Sequence, residues 1–207
     1  MEKFTRLTGV AVPLMQPNID TDAITPGRFL TMTMAAGKAS FGASLFADWR
    51  FDSNDEPKPD FVLNDPAYDG AAILVAGDNF GCGSSREHAV WGLAAYGIRC
   101  VIAPSFGEIF YNNCFVNGLL PVSFAGEQVQ AIADQLSAGT GGRSMTIDLE
   151  AQKVTRPDGS ELAFEIDAAR REALLEGLDA IGMTLKLVDE IAAFQAEDRE
   201  RRPWIYL

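Results

Sequence analysis

Three short apolar runs, at 71–76, 99–103 and 119–124, are separated by two longer stretches, 86–96 and 106–117. Within the runs apolar residues are nearly continuous, which predicts strands buried on both faces rather than half-exposed ones. The stretches between them are long enough for helical crossovers, and Gly118 stands where the second helix should stop. The order strand, helix, strand, helix, strand predicts parallel pairing with right-handed connections.

Flanking patterns extend this core. Residues 8–13 predict another short strand and 127–136 a third helix, with β segments at 145–149, 153–156 and 161–166. Arg156-Pro157-Asp158-Gly159 reads as a turn. Helices are expected at 167–176 and 184–200, and one or two short ones within 29–49. Residues 17–28 are polar and bracketed by prolines, and 52–59 are charged and Pro-bearing, so both read as loops. The second is too short to be a flexible interdomain linker. The tail, 201–207, carries Trp204 and Tyr206 and reads either as a mobile end or as a segment docked on itself or a partner.

The expected class is α/β, in one domain over 1–207. Its parts are an N-terminal loop and insert region (1–70), a parallel β-α-β-α-β core (71–124), a β hairpin region with C-terminal helices (125–200) and the tail. A length of 207 residues suits one sizeable core. Seventeen basic against 29 acidic residues give a net charge of −12 with no basic block, which disfavours nucleic acid and anionic membrane as partners. The first residues lack the apolar core of a signal peptide, and no run approaches the ~18 residues of a membrane span, so a cytoplasmic location is expected. Cys82, Cys100 and Cys114 are odd in number and widely spaced, as expected of reduced thiols rather than disulfides.

The candidate chemistry lies in Asp78-Asn79-Phe80-Gly81-Cys82-Gly83-Ser84-Ser85-Arg86-Glu87-His88, between the first core strand and its helix. Glycines let the backbone turn tightly and approach a ligand. Two serines and an arginine follow at a helix start, where unpaired N–H groups and the positive dipole end favour an anion. A structural reading competes. Ser84 to Glu87 fits a capping box, and Ser105 to Glu108 fits a second. A cap does not, however, need Gly-Cys-Gly, a second serine and an arginine. The Walker lysine and the GxGxxG fingerprint are both absent. His88, the single histidine, is expected to serve the fold, for instance through a hydrogen bond. Cys82 reads as structural first, although a thiol before a helix can be acidic. Asp20-Thr21-Asp22 reads as Asx-turn structure, with divalent metal as the alternative.

Taken with Asn18-Ile19-Asp20-Thr21-Asp22-Ala23-Ile24, Phe46-Ala47-Asp48-Trp49-Arg50, Ala103-Pro104-Ser105-Phe106 and Gly177-Leu178-Asp179-Ala180-Ile181-Gly182-Met183, the serine motif resembles the small subunits of 3-isopropylmalate dehydratase, in the aconitase superfamily. The resemblance spans nearly the whole chain. It implies the swivelling β/β/α domain, equivalent to the mobile last domain of aconitase. It also implies a large-subunit partner in a heterodimer, carrying a 4Fe-4S cluster with one open iron, and no metal on this chain. The implied activity is a hydro-lyase step of leucine biosynthesis, active only in the complex, on a small dicarboxylate. By the same resemblance Ser84 is the base, Ser85 and Arg86 grip a substrate carboxylate, and Arg28 is a further carboxylate contact. Asp20, Thr21, Asp22, Gly81, Cys82, Gly83 and His88 support the loop. Thr25 and Val90 stand where the family often has Ile and Pro. Open alternatives are a related hydro-lyase acting on homoaconitate or citraconate and 2-methylmalate, or a solitary anion-binding regulatory module.

Overall fold

The structure is a computed structural model describing residues 1–31 and 38–206. Residues 32–37, part of the stretch expected to hold short helices, and Leu207 lie outside the described residues. The strands are β1 (Arg6–Leu14), β2 (Ile73–Ala76), β3 (Cys100–Ala103), β4 (Leu120–Ser123), β5 (Ser144–Asp148), β6 (Lys153–Thr155) and β7 (Glu161–Ala163). They form one sheet in the order β4-β3-β2-β1-β5-β6-β7. From β4 to β1 neighbours run parallel; from β1 to β7 they run antiparallel.

β1 joins the two halves by splitting its partners along its length. Arg6 to Val10 pair with β5 and Ala11 to Leu14 pair with β2. β2 shows why the central runs lack alternation. Ile73 and Val75 enter one core with α6 (Gly126–Ala138), through Val129, Ile132, Ala133 and Leu136. Leu74 and Ala76 enter the other core with α4 (Glu87–Tyr96) and α5 (Glu108–Val116), through Val90, Leu93, Phe110 and Cys114. All four β2 residues are buried, at ~1.5–3 kcal/mol for each large aliphatic side chain. The sheet is thus the middle of three layers.

The insert between β1 and β2 adds α1 (Thr21–Ile24), α2 (Lys38–Ser44) and α3 (Ala47–Arg50). After β7 come α7 (Ala168–Glu176), α8 (Ala180–Leu185) and α9 (Val188–Arg201). One helix was expected at 184–200; the chain instead starts α8 earlier, where Asp179 caps Gly182 N–H at 2.7 Å, and breaks before Val188. The tail docks on α9. The turn Pro203–Ile205 folds it back so that Tyr206 Oη donates to Asp198 Oδ2 at 3.0 Å. Neither expected capping box forms. α4 begins at Glu87 with Arg86 as its N-cap residue, and α5 at Glu108 after Gly107, and neither N-cap side chain bonds the helix. No helix among the described residues is long and apolar enough to cross a membrane.

Candidate active site

Three loops continue beyond the carboxyl ends of β1, β2 and β3, the place where open α/β sheets gather ligands. Main-chain bonds hold them side by side as a continuation of the sheet. Asn18 N–H donates to Asp78 O at 2.8 Å, Gly81 N–H to Ile19 O at 2.7 Å, and Thr21 N–H to Cys82 O at 2.9 Å. On the other side Phe80 N–H donates to Ser105 O at 3.0 Å, and Gly107 N–H to Phe80 O at 2.9 Å. The serine motif is therefore the middle ribbon of the three.

Gly81 is required by both geometry and space. Its φ is +73°, and a Cβ there would lie 2.2 Å from Phe110 Cγ. The turn lifts Cys82, Gly83, Ser84 and Ser85 over α5 toward solvent, and the last three are exposed. The N–H groups of Gly83, Ser84, Ser85 and Arg86, and the Ser84 hydroxyl, bond to nothing among the described residues. They form an exposed turn with unused donors, the arrangement that accepts an anion.

Arg86, next in the loop, has its guanidinium on Asp22 Oδ1, which belongs to α1. Asp20, the N-cap of α1, accepts from Ala23 N–H at 2.7 Å, the Asx structure expected of that segment. Burial first, and the Asp20 carboxylate second, push the Cys82 thiol up, so it is a protonated structural neighbour and not an acidic nucleophile. Cys100 and Cys114 are fully buried, and burial pushes both thiols up as well. Among the described residues no three His, Cys, Asp or Glu side chains converge in a way that could hold a metal.

His88 serves packing rather than a hydrogen bond. Its ring lies 4.7 Å from that of Trp91 and 6.2 Å from that of Phe41, and its side chain bonds nothing among the described residues. Arg28 bonds to none of the expected set among the described residues. It is on the turn Gly27–Phe29, pairs with Asp48, stacks on Phe29 and edges an open cleft of about 880 Å³ with Phe51 and Lys58.

Sequence reasoning missed the struts beneath the loop. Ser105 Oγ donates to Asp78 Oδ1 at 2.6 Å and accepts from Asn79 N–H at 2.9 Å. Asn79 Nδ2 donates to Asn18 Oδ1 at 2.8 Å, and both asparagines have positive φ. The signal was available: asparagine is one of the few side chains that tolerates that conformation.

Residues 1–127 match the family model of the aconitase C-terminal domain, more than half of the chain, so fold and loop cluster together define a domain of that class. A model described as LeuD_N matches 131–168, and one described as the C-terminal domain of the 3-isopropylmalate dehydratase small subunit matches 181–206. The chain belongs to the family of 3-isopropylmalate dehydratase small subunits. The family member from Jannaschia sp. (strain CCS1) is 53% identical over 205 residues, covering 99% of this chain and 100% of its own. The one from Rhodospirillum centenum is 53% identical over 207 residues, covering 99% and 98%. The crystal structure of 3-isopropylmalate dehydratase from Methanocaldococcus jannaschii superposes with a TM-score of 0.61 at 26% identity, covering 93% of this chain and 99% of that one.

Proposed function

We propose that this chain is the small subunit of a cytoplasmic 3-isopropylmalate dehydratase, swivelling as one domain over 1–207, and that Ser84 is its catalytic base. The reaction removes water from 2-isopropylmalate to give 2-isopropylmaleate and returns it to give 3-isopropylmalate, a step toward leucine. The observation that carries the reading is the turn at 83–86. Among the described residues, an unbonded serine hydroxyl, four unused N–H groups and one arginine meet beyond the carboxyl ends of parallel strands.

Elimination requires a proton to leave the carbon beside a carboxylate. Ser84 Oγ is exposed and free to take it. A serine hydroxyl is too weak an acid to ionise unaided near neutral pH, so its oxyanion must be held by preorganised donors. The N–H groups of the loop and the positive end of α4 are such donors. Ser85 and Arg86 hold the substrate carboxylate, Arg86 through two parallel hydrogen bonds that its planar fork makes possible. Because Asp22 already occupies part of that fork, the substrate carboxylate shares or displaces it. Arg28 is a second carboxylate contact only if it leaves Asp48.

A 4Fe-4S cluster does not fit the thiols of this chain, one half-buried and two fully buried, and is assigned to the large subunit. When bound there, it supplies a Lewis acid for the departing hydroxide.

Reconstitution with a cluster-loaded large subunit tests the reading. The small subunit alone is expected to be inactive, the complex active, and Ser84→Ala in the complex slower by roughly 10²–10⁴-fold with unchanged folding. Normal turnover by that variant would remove Ser84 as the base. Full activity of this chain without a partner would remove the subunit assignment.

A further inference from the structure

The loop that carries Ser84 has few fixed points. Gly81 and Gly83 have φ of +73° and +93°, and both serines are exposed. Yet two of its carbonyls are tied down, and one residue holds both. Thr21 N–H donates to Cys82 O at 2.9 Å, and Thr21 Oγ1 donates to Ser84 O at 3.0 Å. Thr21 is 2% exposed, so its two donors are shielded from water although Ser84 is exposed.

The consequence follows from the peptide plane. In a planar trans peptide the C=O and the following N–H point in opposite directions. A Cys82 carbonyl fixed toward Thr21 aims the Gly83 N–H away from Thr21, and a fixed Ser84 carbonyl does the same for the Ser85 N–H. Those two N–H groups bond to no described residue. The contact is close as well as polar: a Cβ on Gly83 would lie 3.4 Å from Asp20 Cβ and 3.7 Å from Thr21 Oγ1.

We propose that Thr21 is a positioning residue for the reaction: by holding the carbonyls of Cys82 and Ser84 it turns the N–H groups of Gly83 and Ser85 to the side away from Thr21, where they stabilise the Ser84 oxyanion. The proposal rests on the reading of Ser84 as the base. Without the hydroxyl, the Ser84 carbonyl has no donor among the described residues. Its peptide then rotates to find water, because an unpaired carbonyl is unfavourable. The Ser85 N–H turns with it.

The test uses the reconstituted complex with Thr21→Val, Thr21→Ser, Thr25→Val and Ser84→Ala. Thr25 is the control for a merely structural loss. It is fully buried and donates Oγ1 to His88 O at 3.3 Å, the same kind of bond made to α4 rather than to the loop. Thr21→Val is expected to lower kcat by about 10–100-fold with KM changed less than about threefold. Thr21→Ser restores kcat to within about threefold of the parent, because it keeps the donor. Thr25→Val lowers the melting temperature but leaves kcat near the parent value.

If Ser84→Ala is inactive while Thr21→Val turns over normally, the proposal for Thr21 is overturned and the base assignment stands. If Ser84→Ala is itself active, the base assignment fails and the role of Thr21 falls with it. A Thr21→Ser variant as slow as Thr21→Val shows that the hydroxyl is not the agent and also overturns the proposal. So does failure of both Thr21→Val and Thr21→Ala to fold, since that makes Thr21 a folding residue.

Discussion

Arg86 and Asp22 form an ion pair at the place where the proposed function seats a substrate carboxylate. Lysine at position 86 keeps the charge but loses the fork that can hold two partners in a fixed plane. Arg86→Lys in the complex is therefore expected to raise KM about tenfold or more, measured by steady-state kinetics; an unchanged KM would take Arg86 out of substrate binding. Gly81 is constrained by both its left-handed φ and the Phe110 ring beneath it, so Gly81→Ala is expected to destabilise by about 2–4 kcal/mol in urea melts. That Ser84, Ser85 and Arg86 would share one solvent-facing turn was legible in the chain because the motif is contiguous. Ser105 was not. Its Ser-x-x-Glu pattern is local, whereas the bond it makes is to Asp78, 27 residues away and on another loop. A capping box states only what a helix start can use, and here the helix starts three residues later.

At the scale of elements, the apolar runs were readable because β2, β3 and most of β4 are buried on both faces. The double pairing of β1 was not, since its own residues do not say which neighbour each half will meet. The tail could be read two ways because Trp204 and Tyr206 fit either; Asp198 decides it. Its side chain is only 3% exposed and accepts from Arg202 Nε at 2.6 Å and from Tyr206 Oη. The hydrogen bond from Arg202 holds the Asp198 carboxyl below its usual range, against burial, with Tyr206 assisting. A carboxyl with a lowered folded-state pKa stabilises docking above its unfolded value, ~3.9, and that stabilisation is lost as pH falls through the lower folded value. In a chain with Trp49 and Trp91 replaced by Phe, Trp204 anisotropy is expected to be constant near neutrality and to drop below about pH 4. Asp198→Asn should show the low value at pH 7. A flat profile in both chains would show that Asp198 does not hold the tail.

The whole molecule divides into a sheet with two buried faces and an arm beyond α7. α8 and α9 carry exposed Ile181, Leu185, Val188 and Phe194, and the densest packing of α9 is with the turn at Pro203–Ile205. A chain ending at Leu178 keeps both cores and the Met1 N-terminal bond to Gly177 O. It is expected to melt within a few degrees of the full chain by circular dichroism; a loss of cooperative melting would mean that the arm belongs to the folding unit. The α/β class and the order of the core elements from β2 to β4 could be read from the chain; α1, inside a segment read as loop, and the break between α8 and α9 could not. That its thiols would be buried or held protonated could not, because side-chain burial depends on which strand faces meet which helices.

The outward tilt of residues 83–85 bears on how such a chain behaves before assembly. Bulk solvent wets that mouth, and a serinate formed there would be quenched at once by the surrounding liquid. On the proposed reading of Ser84, copies without a partner are expected to be inert toward hydroxy acids, which the reconstitution measures. If Ser84 is the base, a partner surface that covers these residues would remove that water, and supply of the second chain would then act as the on-switch for the first.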